Sequence, residues 1–166
     1  MLKPYLVDLG YDVKQIAFMS GIFGTLTAAV STLVGGFVMR FIGRRTSLFL
    51  FLTISVIAAS YFLYLSGITP TITQLYIAIG MVWCAYGFST VGIYTISMDA
   101  VRPGREGTDF TIQIVITHLG SLLMATASGK VAHELDYKGL FAGEIAMSLL
   151  VYLILIFVFT HKKSVN

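Results

Sequence analysis

Charge is what this sequence has least of. Only 11% of its residues are Asp, Glu, Lys or Arg, against about 25% in soluble domains. That shortage excludes a water-facing surface over most of the chain. Cysteine is scarcer still: Cys84 is the single one, so no disulfide framework can form within one chain. The net charge of +3 is small and scattered, which argues against a nucleic-acid partner and leaves the basic residues as membrane-flanking charges. No ATP-binding glycine loop, metal-ligand cluster or nucleophile–base pair is visible. Neither enzymatic activity nor a cofactor or metal is therefore expected.

What fills the chain instead is apolar. Hydrophobic residues make up 57%, and the mean hydropathy is +0.86. Five runs, residues 15–39, 46–66, 75–98, 110–129 and 140–160, are nearly free of charge. Apart from Tyr and Cys, the titratable residues inside them are His118 and Glu144. At about 1.5 Å of rise per residue, roughly 20 residues in a helix cross the hydrocarbon core. The pattern predicts an all-α membrane protein with a five-span bundle over residues 15–166. Residues 1–14 precede it. Met1 to Leu9 is apolar, with Lys3 and Pro4, but too short to span. It reads as the outer end of a helix whose beginning is absent, or as a short re-entrant stub.

The loops carry unequal positive charge. Arg40, Arg44, Arg45, Arg102, Arg105, Lys162 and Lys163 fall on one side, and Lys3, Lys14, Lys130 and Lys138 on the other. Lys and Arg accumulate in cytoplasmic loops, so the first side, with the C-terminus, is expected to be cytoplasmic.

Helical faces follow from 100° of rotation per residue. In 15–39, Ser20, Gly24, Ala28, Ser31 and Gly35 share one stripe, and small residues at that spacing let membrane helices approach closely. In 75–98, Tyr76, Gly80, Trp83, Gly87, Thr90, Tyr94 and Ser97 cluster within about a third of the circumference. Such a mixture of rings, hydroxyls and glycines at membrane depth faces either a watered pathway or a neighbouring helix. Asp109, Gln113, Thr117, Gly120, Ser121 and Ser128 give 110–129 a second polar face, on which Asp109 is a helix cap or a gate residue. Span 46–66 has no sustained polar face and reads as peripheral. Glu144 reads as a residue that snorkels or pairs with Lys138.

Two loops carry the strongest pattern. The first runs Gly36-Phe37-Val38-Met39-Arg40-Phe41-Ile42-Gly43-Arg44-Arg45. It is similar to the loop motif of the major facilitator superfamily, a Gly, an Asp four residues on, then Gly-Arg-Arg. Gly36, Gly43, Arg44 and Arg45 match, and Arg40 stands in place of the Asp. The second, Pro103-Gly104-Arg105-Glu106-Gly107-Thr108-Asp109-Phe110-Thr111-Ile112-Gln113, resembles the loop between the tenth and eleventh helices of AmpG-like permeases. Those include muropeptide permeases and, above all, siderophore-uptake permeases of the rhizobactin and pyochelin type.

The resemblance implies the C-terminal six-helix bundle of a major facilitator fold with its first helix truncated. It implies a secondary transporter half in the bacterial inner membrane, working by alternating access with an N-terminal six-helix half. The substrate would be a small molecule, an iron-siderophore or a muropeptide. Tyr76, Trp83, Thr90, Tyr94 and Gln113 would line the pathway. Gly36, Arg40, Gly43, Arg44, Arg45, Asp99, Arg105 and Asp109 would form the cytoplasmic gate and its loop motif. The other reading is a truncated membrane protein that does not transport.

Overall fold

The computed structural model describes residues 2–163, with side chains through residue 157. Met1 and the side chains of Lys162 and Lys163, assigned above to the stub and the tail, lie outside the described residues.

The chain opens with a two-turn helix, α1 (Leu2–Asp8). Gly10, at φ +85°, reverses it, and an Asp12/Gln15 capping box starts α2 (Val13–Ile16). The Asp12 carboxylate accepts from the Lys14 backbone N–H, and the Gln15 side-chain oxygen from that of Asp12. Such reciprocal bonds satisfy donors that have no partner inside the helix. The turn then widens into a π-helical segment, Ala17–Phe23, before α3 (Gly24–Ile42). Gly43, at φ +80°, is the entire link to α4 (Arg44–Leu65). A Thr71/Gln74 capping box begins α5 (Ile72–Asp99), and a turn through Gly104 leads to α6 (Glu106–Lys163).

Four of these helical stretches are long and apolar enough to cross a membrane: Val13–Ile42, Arg44–Leu65, Ile72–Asp99 and Glu106–Phe157. The runs 15–39, 46–66 and 75–98 fall on the first three. The runs 110–129 and 140–160, expected as spans with a loop between them, belong to one helical element. It reverses at Asp136 alone (φ 57°, ψ −179°). The polar stretch from Lys130 to Lys138 suggests a loop, yet polar side chains at a helix end leave its backbone bonds intact. The two arms fold back on one another: residues 124–131 and 140–151 line a common cavity.

Packing orders the rest. At one end, Leu6, Phe62, Leu65, Leu75 and Ile79 form an almost fully buried cluster with Tyr5 and Phe141. The Tyr5 ring stands edge-on to Phe62, Tyr137 and Phe141, at 6.2, 4.9 and 5.9 Å. The α1 segment is thereby docked on the bundle, where Tyr137 also donates a hydrogen bond to Asp8. Lower down, Phe51 stacks on Phe88 at 4.8 Å and 5°. Phe51 is 2% exposed, so α4 contributes to the core and is not the peripheral element its composition suggests. Edge and stacked ring pairs of this kind add about 0.5–1.5 kcal/mol beyond their area.

Candidate functional site

The small-residue stripe of α3 lies against α5. A β-carbon on Gly24 would fall 2.3 Å from Trp83 Nε1, one on Gly35 2.8 Å from Val91, and one on Gly87 2.5 Å from the Ala28 carbonyl oxygen. Only hydrogen can occupy such positions, and that is how these helices come so close. The Thr32 hydroxyl, which also donates to Ala28, lies 3.3 Å from the Gly87 carbonyl oxygen and bridges the two helices. Of the two glycines at 35 and 36, Gly35 makes the close crossing. Gly36, the motif residue, has open space at its β-position.

This joint divides the residues expected along a pathway. Tyr76 stands edge-on to Phe23 of the π segment at 5.4 Å. Trp83 covers Gly24, with its ring N–H buried and without a partner among the described residues. Both belong to the helix joint. Thr90 and Tyr94 lie beyond it. The Thr90 hydroxyl donates to the Tyr86 carbonyl at 2.8 Å, and Tyr94 is edge-on to Phe110 of α6 at 6.2 Å. Gln113 is half-buried, one helical turn after Asp109. Tyr86, 60% exposed and edge-on to Trp83 at 5.7 Å, completes a ladder with the half-buried Thr90 and the exposed Tyr94. Its spacing of four from Thr90 is the signal that identifies it, and the sequence reading passed over it.

The opposite end is held by charge. Arg44, the first residue of α4, pairs with Asp99, the last of α5, across 55 positions of sequence. Gly43 makes this possible, since its positive φ turns the chain so that α4 starts where α3 stops. In the following loop Asp109 is 9% exposed and takes three hydrogen bonds from Arg102: from the backbone N–H at 3.1 Å, from Nε at 2.8 Å and from the guanidinium end at 2.7 Å. The bidentate fork is the strong form of such a pair, and bonding to Asp109 pushes the Arg102 guanidinium above its usual pKa. Glu106 accepts from the Gly104 N–H at 2.9 Å and closes the turn. Arg105, named above as a gate residue, is exposed, and Arg102 holds the place beside Asp109. Arg40 is exposed on the last turn of α3, and Arg45 follows Arg44 into α4. No group of three His, Cys, Asp or Glu side chains able to hold a metal occurs among the described residues.

The sequence pattern of the Major Facilitator Superfamily matches residues 1–166. The chain belongs to this superfamily. Its curated relatives bear transporter names. "Putative transporter AmpG 4" of Rickettsia conorii is 25% identical over 162 residues, which is 95% of this chain and 38% of that protein. The protein of the same name in Rickettsia felis is 22% identical over 164 residues, 99% of this chain and 39% of its own length. "Putative transporter AmpG 1" of Rickettsia felis is 33% identical over 81 residues, 49% of this chain and 18% of that protein. The chain thus spans at most about two-fifths of the length of these relatives. No solved structure matches it. It is a multi-pass membrane chain of a transporter superfamily and not an enzyme.

Proposed function

We propose that this major facilitator chain is the C-terminal half of a secondary transporter in the bacterial inner membrane, facing an N-terminal six-helix half across the substrate pathway. The observation that carries the reading is the Arg44–Asp99 pair. It fastens the Gly-Arg-Arg loop to the end of α5, the helix that bears the polar aromatic ladder. An ion pair between helix ends at one mouth of a pathway can open and close with the bundle, which is what alternating access asks of a gate. The mouth with Arg40, Arg44, Arg45, Asp99, Arg102, Arg105 and Asp109 is assigned to the cytoplasm, with the C-terminus. Thr90, Tyr94 and Gln113 present groups to the pathway. Tyr76 and Trp83 support that face from behind, in the joint with α3.

For the substrate, the AmpG names of the relatives favour a peptidoglycan-derived muropeptide. The likeness of the second loop to siderophore-uptake permeases favours an iron-siderophore. Co-expression with an N-terminal half from an AmpG relative, in cells lacking their own permease, separates the two by uptake of each labelled compound. Arg44→Glu is expected to cut uptake severalfold at equal membrane abundance, and the exchange Arg44→Asp with Asp99→Arg to restore it. Wild-type uptake by Arg44→Glu would remove the gate. No uptake of either compound by the paired halves would favour the non-transporting reading.

A further inference from the structure

A cavity of about 510 Å³ lies between α4 and the two arms of α6, away from the α3–α5 joint and from the ion-paired end. Its wall is mostly apolar: Leu52 from α4, Met124 from the first arm, Phe141 and Met147 from the second. Of the three serines on this wall, Ser55, Ser128 and Ser148, two are committed to their own helices, Ser55 to the Phe51 carbonyl and Ser128 to that of Ala125. One charged side chain faces the cavity, that of Glu144. Among the described residues its carboxylate has no hydrogen-bond or ion-pair partner. Lys138, the partner the sequence suggested, lies instead beside Gly67 in the α4–α5 loop, where a β-carbon on Gly67 would sit 3.9 Å from its Nζ.

A carboxylate on an apolar wall at membrane depth calls for a cation beside it. Among the described residues no side chain supplies one, and the cavity has room for a ligand that does. Its volume falls within the range of small-molecule sites, about 300–1,000 Å³. Met124 and Met147, both about half exposed at its rim, open it sideways, and their flexible thioethers adapt to varied shapes. We propose that this cavity is a binding site for a lipophilic monocation, an apolar body with one positive charge, seated against Glu144 and entering from the lipid side. The site is separate from the pathway proposed above and stands whether or not that reading holds.

The test uses the full chain in nanodiscs of neutral lipid. Its probes are tetraphenylphosphonium and tetraphenylborate, which share a shape and differ in the sign of their charge. Empty discs give the partition baseline. Tetraphenylphosphonium should bind saturably above that baseline and tetraphenylborate should not. Glu144→Gln should weaken binding by about tenfold, because it removes the one negative charge on the cavity wall. Gly143→Phe should abolish it. No atom lies within 4 Å of a β-carbon at Gly143, and Gly143 lines the cavity, so the added side chain starts without a clash and its ring competes with the ligand for the space. If Glu144→Gln fails to fold, Gly143→Phe decides alone. Unchanged affinity in the variants, equal binding of the two probes, or uptake no greater than in empty discs would overturn the site.

Discussion

Gly87→Val is expected to break the joint between α3 and α5 and to remove most of the folded protein from the membrane fraction. A β-carbon at position 87 would meet the Ala28 carbonyl oxygen at 2.5 Å, the Ser31 β-carbon at 2.9 Å and the Thr32 backbone nitrogen at 3.1 Å. These contacts are with the main chain or with a β-carbon fixed to it, so no rotamer change relieves them. Two helices must separate, and every close contact along the stripe loosens with them. Overpacking costs about 1–3 kcal/mol where a side chain can move, and more is expected where backbone must. The Thr32 contact to the Gly87 carbonyl is lost as well, and interhelical hydrogen bonds in membranes contribute about 0.6–2 kcal/mol. The matched control is Gly36→Val, which meets nothing within 4 Å and should leave the thermal midpoint in detergent unchanged. Equal midpoints for the two variants would show that the joint does not limit stability.

Asp109→Ala is expected to release the turn between α5 and α6. One carboxylate gathers the backbone N–H and the Nε–Nη2 edge of the Arg102 guanidinium and sits at the start of α6, where the helix dipole favours negative charge. Its removal leaves those donors to water and the first turn of α6 with Glu106 as its one remaining acid. Trypsin cleavage after the exposed Arg105 should then run several times faster, with the bundle otherwise intact. Asp109→Asn keeps an acceptor for the Arg102 N–H and loses the charge-assisted fork, so it should fall between wild type and alanine. Cleavage at the wild-type rate in both variants would mean that the turn is held by the Pro103-Gly104 geometry and the Glu106 bond alone.

What the sequence made legible was local. The stripe Ser20, Gly24, Ala28, Ser31 and Gly35 is visible because helical periodicity repeats within one segment, and all five of its members are buried. The fate of Trp83 was not legible. A deep indole among glycines and hydroxyls reads equally as pathway lining or as packing, and only the register of α3 shows that Gly24 is the residue beneath it. Phe51 was hidden for a similar reason, because a uniformly apolar helix does not announce which side meets a partner. The acids and arginines of the 99–109 loop were evident as a cluster. Their pairing was not, since Arg102 reaches Asp109 through a turn whose shape depends on Gly104 at positive φ. The reversal after the fourth run was expected as a loop, but its confinement to Asp136 was not legible, because chain reversals with positive φ usually fall on glycine, and here an aspartate takes the position.

Gly43 has a mechanical consequence. A single residue between α3 and α4 leaves no spare length, so the two helices cannot tilt independently. A swing of α3 drags the start of α4 through a matching arc, and the Arg44–Asp99 pair hands that displacement to the end of α5. The three helices therefore act as one lever. The slack needed for motion against α6 is taken up at the longer connection to it, residues 100–105. A rigid label or an inserted segment there should be tolerated far better than one at position 43.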